Sequence, residues 1–407
     1  MWKRGRDIAI GVILGVILTG GLLVFRTGLV EGFDFRVAPF SSQGLWLMKQ
    51  ARAILETYHV DADKQENAED KLVHGALRGM VAAWEDPYTR YVDPDQMKQE
   101  EIEMQGEYGG LGIYIGKKDG RTMIISPIEG TPADRAGLKP MDEIVKVNDE
   151  VIVGMDQNEV VKKLRGAPGT SVTVWIRREG ADELLQFDLV RENIQIHSVR
   201  HEVLDGRWGY IRLIQFNQKT TEELLAALDD VAAQKVEGLI LDVRNNPGGL
   251  LNVAVDVADV FLDGGLVVGM KGRVERANDT LFARAGVKTA LPLVVLINEG
   301  SASASEIVAG ALRDRSHVLL VGKKSFGKGS VQTLFNLPDG SGVYVTIARY
   351  HTPNGTNIDH NGLEPDVEVD GEMTRERDKD VQLRRAVEEL AQIIVQSGRK
   401  QSGRKAS

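Results

Sequence analysis

The chain contains no cysteine in its 407 residues. That excludes disulfides, cysteine-ligated zinc and thiol catalysis. Histidine is scarce, with seven residues scattered along the chain. His197 and His201 stand four apart in an extended-looking stretch and lack the Glu of H-E-x-x-H, so they form no metal-binding helix face. Basic charge is in deficit: 59 Asp and Glu against 50 Lys and Arg give a formal net charge of -9. This argues against nucleic acid as the main partner, since phosphate binding needs a basic surface. No serine stands in G-x-S-x-G, so a hydrolase nucleophile elbow is missing. "GKKSFGK" (322–328) fits seven positions of a phosphate-binding loop, but Gly329 occupies the eighth, where Ser or Thr must reach Mg²⁺. The following "SVQTLFNL" alternates like a strand instead of continuing as a helix.

What is present begins with an uncharged run, Ile8 to Phe25, preceded by Lys3, Arg4 and Arg6. Its length approaches the roughly 20 residues of a membrane helix, and the basic flank keeps the N-terminus cytoplasmic. An uncleaved signal anchor is expected, with the chain after about residue 30 outside the cytoplasm. A cleaved signal peptide is the alternative, although no A-x-A site follows.

Residues 43–84 carry apolar residues at helical spacing, and "EDPYTRYVDPDQ" (85–96) ends that segment. From 106 to 190 the chain is Gly-rich and strand-like with two short helices. From about 207, strands alternate with helices, which implies a mainly parallel, helix-covered sheet with function in the loops after the strands. "NNPGG" (245–249) and "EGSASAS" (299–305) both sit in such loops. The expected organisation is 1–30 stub and anchor, 31–104 helical region, 105–191 β-rich module, 192–370 α/β core, 371–396 C-terminal helix and 397–407 disordered basic tail.

Among the serines of "NEGSASASEI", Ser303 with Glu306 fits S-x-x-E, the capping box of a helix. A cap is one sufficient explanation, worth about 1 kcal/mol. A nucleophile is the other, because a helix N-terminus offers free N–H groups and a positive dipole end to an oxyanion. Such a serine needs a base, and with histidines scattered a lysine can serve. Lowering a lysine from about 10.4 by roughly 3 units costs about 4 kcal/mol, which an apolar pocket can supply. Lys328, between two glycines and beside Phe326, suits that role better than the lysines in charged runs.

"EDPYTRYVDP", "GLILDVRNNPGGLL", "GSASASEIVAGALRD", "SFGKGSVQ" and "NGLEPDVEV" occur in this order along the chain. Together they resemble the carboxy-terminal processing, or tail-specific, proteases over nearly all of the chain after the anchor. The resemblance implies Ser303 as nucleophile, Lys328 as general base and Gln332 as the residue orienting the lysine. It also implies an oxyanion hole from the backbone N–H groups of Gly249 and Ala304. Asp314 lies where the family often has an acid, and a helix-surface salt bridge accounts for it equally well. Thr89, His351 and Asn354 depart from the family's usual residues at positions expected to be peripheral.

The β-rich module in turn resembles a PDZ domain, with "GGLGI" as its carboxylate-binding loop; Gly110, Leu111, Gly112 and Ile113 would capture a peptide's C-terminus. The fold expected is therefore an α/β protease core with a mainly parallel sheet, an inserted PDZ domain and an N-terminal helical region behind one membrane helix. The activity implied is a Ser-Lys endopeptidase, needing no cofactor or metal, that cuts the C-terminal regions of extracytoplasmic proteins. A peptide-binding scaffold on an inactive protease fold is the rival, and the intact Ser303, Lys328 and Gln332 stand against it. Helices at 43–84 and 380–396 could pair protomers into a homodimer.

Overall fold

The computed structural model describes residues 41–405 except 66, 119, 129, 156 and 375. The expected anchor at Ile8–Phe25 lies outside the described residues. Among those described, no helix is long and apolar enough to cross a membrane. The chain divides into two units, one formed by 101–198 with 217–219 and the other by the rest.

The helical spacing between 43 and 84 becomes α1 (Ser42–Tyr58) and α2 (Ala68–Ala82). Ser41 starts α1 by accepting the Gly44 N–H at 3.1 Å. Both helices leave apolar side chains in solvent, among them Leu45, Trp46, Ile54 and Leu55 on α1. After the Pro- and Asp-rich turn come β1 (Arg90–Val92) and α3 (Pro94–Gln105).

The smaller unit contains β2 (Glu107–Gly110), β3 (Ile113–Lys118), β4 (Arg121–Pro127), α4 (Pro132–Arg135), β5 (Glu143–Val147), β6 (Glu150–Val151), α5 (Gln157–Leu164), β7 (Ser171–Arg177), β8 (Leu185–Val190) and β9 (Glu192–Gln195). The antiparallel order is β3-β4-β5-β7-β8, with β6 on β5, while β2 pairs with β9. "SVTVWIR" alternates, so Val172, Val174 and Ile176 all turn inward. They close a core with Ile124, Ile144 and Val160.

The larger unit continues with β10 (Val199–Leu204), β11 (Trp208–Leu213), α6 (Thr220–Ala233), β12 (Gly238–Asp242), α7 (Leu251–Phe261), β13 (Gly265–Gly272), β14 (Asp279–Ala283), β15 (Leu293–Ile297), α8 (Ala304–Ser316), β16 (Leu319–Gly322), β17 (Ser330–Asn336), β18 (Gly342–His351), β19 (Val367–Glu368) and α9 (Val381–Lys405). Its first sheet has the order β10-β11-β12-β15-β16-β19, parallel throughout except for β10. β12 and β15 are buried at every residue, as central parallel strands covered on both faces must be. Leu241 and Val295 face Val257 and Ile307 of α7 and α8. Ile240 and Leu296 face Leu383 and Leu390 of α9.

A second sheet accompanies it, antiparallel, in the order β1-β18-β13-β14 with β17 on β18. Of its strands, only β17 was expected, because short apolar runs such as "GLVVGMKG" do not distinguish strand from helix by period. β1 reaches across some 250 residues of chain to pair Arg90 with Tyr344 and Val92 with Gly342. The C-terminal segment also corrects an expectation. Residues 397–405, taken as the start of a disordered tail, continue α9. Gln, Arg and Lys lose little rotamer freedom in a helix, and cations suit a helix C-terminus.

Candidate active site

β15 ends at Ile297, and the chain crosses six residues before α8 begins at Ala304. Ser303 holds the N-cap with φ 54° and ψ -111°, a backbone conformation that L-residues avoid. Its carbonyl accepts the Ile307 N–H at 3.0 Å. The neighbouring serines face the other way. Ser301 Oγ donates to the Val243 carbonyl at 2.8 Å, and Ser305 Oγ donates to the Asn246 carbonyl at 2.9 Å. Both are fully buried, so they lace the loop after β15 and the first turn of α8 to the loop after β12.

That second loop brings Gly248 against Ser303. A Cβ on Gly248 (φ +105°) would stand 2.8 Å from Ser303 Cβ and 3.0 Å from Ala304 N. A Cβ on Gly249 (φ +144°) would instead meet the Phe216 carbonyl at 2.2 Å. The Gly248 N–H is engaged by Asn246 Oδ1 at 2.9 Å. Ala304, first in α8, has an N–H without an intrahelical acceptor.

The same loop is braced from behind by Arg244, wholly buried. Its Nε donates to Asp242, Nη1 to Asp380 and Gln382 at 2.9 and 3.0 Å, and Nη2 to Asp242 and Asp380 at 2.6 and 2.8 Å. Asp380 also caps α9 by accepting the Leu383 N–H at 2.9 Å. All five guanidinium donors are thereby satisfied, as burial of a charge demands.

Glu306 is the feature the sequence reading saw only as a capping partner. It is 1% exposed and accepts four hydrogen bonds. Oε1 takes Ser325 Oγ at 2.5 Å and the Gly327 N–H at 2.8 Å. Oε2 takes the Ser303 N–H at 2.8 Å and the Lys328 N–H at 3.0 Å. Burial pushes its carboxyl above the usual range, against the pull of those donors. The S-x-x-E spacing was the available signal; its reach to 325–328 was not legible.

Lys328 is half-buried between Gly327 (φ +88°) and Gly329, where a Cβ would collide with Asp359 N at 2.0 Å. Burial lowers its ammonium below the ordinary lysine value, the Arg90 charge lowers it further, and Glu306 opposes both. Its Nζ lies 5.0 Å from the centroid of the Tyr88 ring. Gln332 spends its amide hydrogens on Ser330 Oγ at 2.9 Å and Thr346 Oγ1 at 3.2 Å, leaving Oε1 as an acceptor.

A model of peptidase family S41 matches residues 207–369, and a PDZ domain model matches 123–178. The chain is 41% identical to the carboxy-terminal-processing protease of Bartonella bacilliformis over 74% of its own length and 70% of the relative's. It is 38% identical to the carboxy-terminal processing protease CtpA of Bacillus subtilis, covering 90% and 78% respectively. This chain belongs to the carboxy-terminal processing proteases of peptidase family S41. The solved photosystem II D1 C-terminal processing protease is 32% identical, with 81% of this chain and 94% of that one covered and a TM-score of 0.46. The S41 protease described here is a serine-type C-terminal processing peptidase with a PDZ domain.

Within the smaller unit of this S41 protease, Leu111, Gly112 and Ile113 line a groove with Val161, Leu164 and Arg165. Gly110 lies beside it, where a Cβ would meet the Tyr108 ring at 2.7 Å. In the larger unit, Asp314 has only 6% of its side chain exposed and accepts the Asn354 N–H at 3.0 Å. It ties the end of α8 to the turn after β18 and forms only a long, 3.6 Å pair with Arg313. Thr89, expected to be peripheral, is one link from Gln332: its Oγ1 accepts the Thr346 N–H at 3.1 Å.

Proposed function

We propose that this S41 protease works by Ser-Lys catalysis, with Ser303 as nucleophile, Lys328 as general base and Gln332 orienting the lysine. The observation that carries the reading is the shared anchor: Ser303 and Lys328 hang from one carboxylate oxygen of Glu306. In the first step, Ser303 Oγ attacks the scissile carbonyl carbon while its proton passes to neutral Lys328 Nζ. The oxyanion is held by the N–H groups of Ala304 and Gly249. The Gly248 N–H is already occupied by Asn246, and its missing side chain leaves room for the tetrahedral carbon. Collapse expels the amine, which takes the proton from Lys328. Water, deprotonated by the same lysine, then cleaves the ester.

The PDZ domain captures a substrate's C-terminus through Gly110, Leu111, Gly112 and Ile113, with the peptide added as a strand at the groove edge. Ile8–Phe25 anchors the enzyme in the membrane with its catalytic part outside the cytoplasm, so its substrates are extracytoplasmic proteins with free C-termini. The apolar surface of α1 supports a homodimer paired through the helices at 43–84 and 380–396.

The deciding experiment incubates the protein with an extracytoplasmic substrate and follows C-terminal shortening by intact mass. Wild type shortens the substrate; Ser303→Ala and Lys328→Ala do not. Equal cleavage by wild type and Ser303→Ala would remove Ser303 from the mechanism. A fluorophosphonate that labels wild type but not Ser303→Ala locates the nucleophile independently of substrate.

A further inference from the structure

The turn that ends the N-terminal helical region has no part in the mechanism as described, yet it approaches Lys328 directly and reaches Gln332 through Thr346. Tyr88 places its ring 5.0 Å from Lys328 Nζ. Thr89 Oγ1 accepts the Thr346 N–H at 3.1 Å, and Thr346 Oγ1 in turn accepts from Gln332 Nε2 at 3.2 Å. One carboxylate fixes the turn itself. Asp86 Oδ1 accepts the Tyr88 N–H at 3.0 Å, and Asp86 Oδ2 accepts from Thr89 Oγ1 at 2.7 Å. The next residues, Arg90–Val92, are locked to β18 in register.

We propose that the turn Asp86–Thr89 belongs to the catalytic apparatus, with Tyr88 positioning the Lys328 amine and Thr89 positioning Gln332 through Thr346. The inference rests on the Ser303–Lys328 reading. The base is neutral before reaction and becomes an ammonium as it takes the Ser303 proton. A ring face attracts an ammonium and is nearly indifferent to an amine. The Tyr88 ring therefore interacts more strongly with the transition state than with the ground state, which is the condition for raising kcat. Gln332 with both amide hydrogens committed has one orientation, and the Thr89–Thr346 link holds the strand residue that receives one of them.

Other charges face this corner. Arg90 on β1 and Glu306 on α8 act on Lys328. Asp359, Glu306 and Asp86 act on the Tyr88 hydroxyl. Arg90 is itself held by Glu100 at 2.7 and 2.9 Å. Replacing Tyr88 by Phe leaves these charges and the ring face in place, whereas Leu removes the ring face and fills the space.

The test measures kcat and KM against pH on the full chain, with fluorophosphonate labelling of Ser303 as a parallel readout. Tyr88→Phe is expected to keep the wild-type profile. Tyr88→Leu is expected to move the acid limb about half a unit lower, because the charged lysine loses its partner. Its plateau kcat should fall on the order of 10-fold with KM unchanged. Thr89→Val should lower kcat with KM unchanged, and Thr89→Ser should restore it. An acid limb for Tyr88→Leu that stays in place or moves upward overturns the role of Tyr88. A Thr89→Val enzyme equal to wild type overturns that of Thr89, and this pair decides alone if Tyr88→Leu does not fold. Activity retained in Lys328→Ala would sink the underlying mechanism instead.

Discussion

Ser303 and Lys328 donate their backbone N–H groups to the same oxygen, Oε2 of Glu306, at 2.8 and 3.0 Å. Two segments separated by 25 residues of chain are thereby fixed to one point. Replacing Glu306 by Gln exchanges one acceptor oxygen for a donor, so two of the four donors lose their partner. The expected result is a loss of about 2–3 kcal/mol in urea unfolding. A fall in kcat of at least roughly 100-fold should accompany it, because small displacements of catalytic groups cost that much.

Ser303 stores strain at φ 54°, ψ -111°. Glycine adopts such a conformation freely and costs only a few tenths of a kcal/mol as an N-cap. Ser303→Gly should therefore be more stable than wild type by about 1 kcal/mol while losing on the order of 10⁶ in rate. Ser303→Ala should lose the same activity without the gain in stability. Thermal unfolding of the two variants side by side checks this.

Gly248 has no room for a side chain, with Ser303 Cβ 2.8 Å from where its Cβ would be. Gly248→Ala is expected to destabilise by about 1–3 kcal/mol, from overpacking and from its φ of +105°. The displaced Ser303 should cut activity at least roughly 100-fold. A Gly248→Ala enzyme with wild-type kcat would contradict the placement of this loop against the serine.

Burial and Arg90 lower the Lys328 ammonium. Activity should therefore rise with pH along a limb whose midpoint lies below the ordinary lysine value of about 10.4. The stability sign follows from the same shift. A lysine depressed in the folded state contributes stability above about 10.4 that is lost as pH falls through the depressed value. Lys328→Met should thus be more stable than wild type near neutral pH, with the difference disappearing at high pH. Thermal melts across pH measure it.

Asp380 and Asp242 share Arg244 without solvent. Asp380→Ala leaves an incompletely paired buried cation and an uncapped α9, at an expected cost of about 3–5 kcal/mol. Asp380→Asn keeps the cap and should cost less. Both losses should be unchanged between low and high salt, because ions do not reach the site. A strong salt dependence in urea unfolding would contradict the burial.

Ser303 and Lys328 stood out in the sequence because each lies in a short motif with a local purpose, a helix start and a lysine between glycines, whereas Gln332 was named only through the family resemblance. The mutual placement of Ser303 and Lys328 was not legible, because it passes through Glu306, whose capping position accounted for it completely. The parallel sheet was readable from alternating helices and buried strands such as "GLILDVR". The antiparallel sheet was not, since β18 pairs with β1 and β13, both far off in the chain, and no local signal announces that pairing. Thr89 looked peripheral because its partner, Thr346, stands 257 residues away. The helical continuation past Gln396 was hidden by a composition equally suited to solvent.

The pairing of β1 with β18 also sets a clock. Arg90–Val92 leave the ribosome some 250 residues before the strand that receives them. At about 5–20 residues per second, that interval is on the order of 10–50 s. Through all of it Lys328 and Gln332 are unmade or unsupported, and Arg244 waits longer still for Asp380. A chain interrupted between residues 304 and 345 has Ser303 but lacks Thr346, to which Gln332 donates. The contacts that gather Lys328, Gln332 and Arg244 are therefore completed only when the sequence is nearly all made.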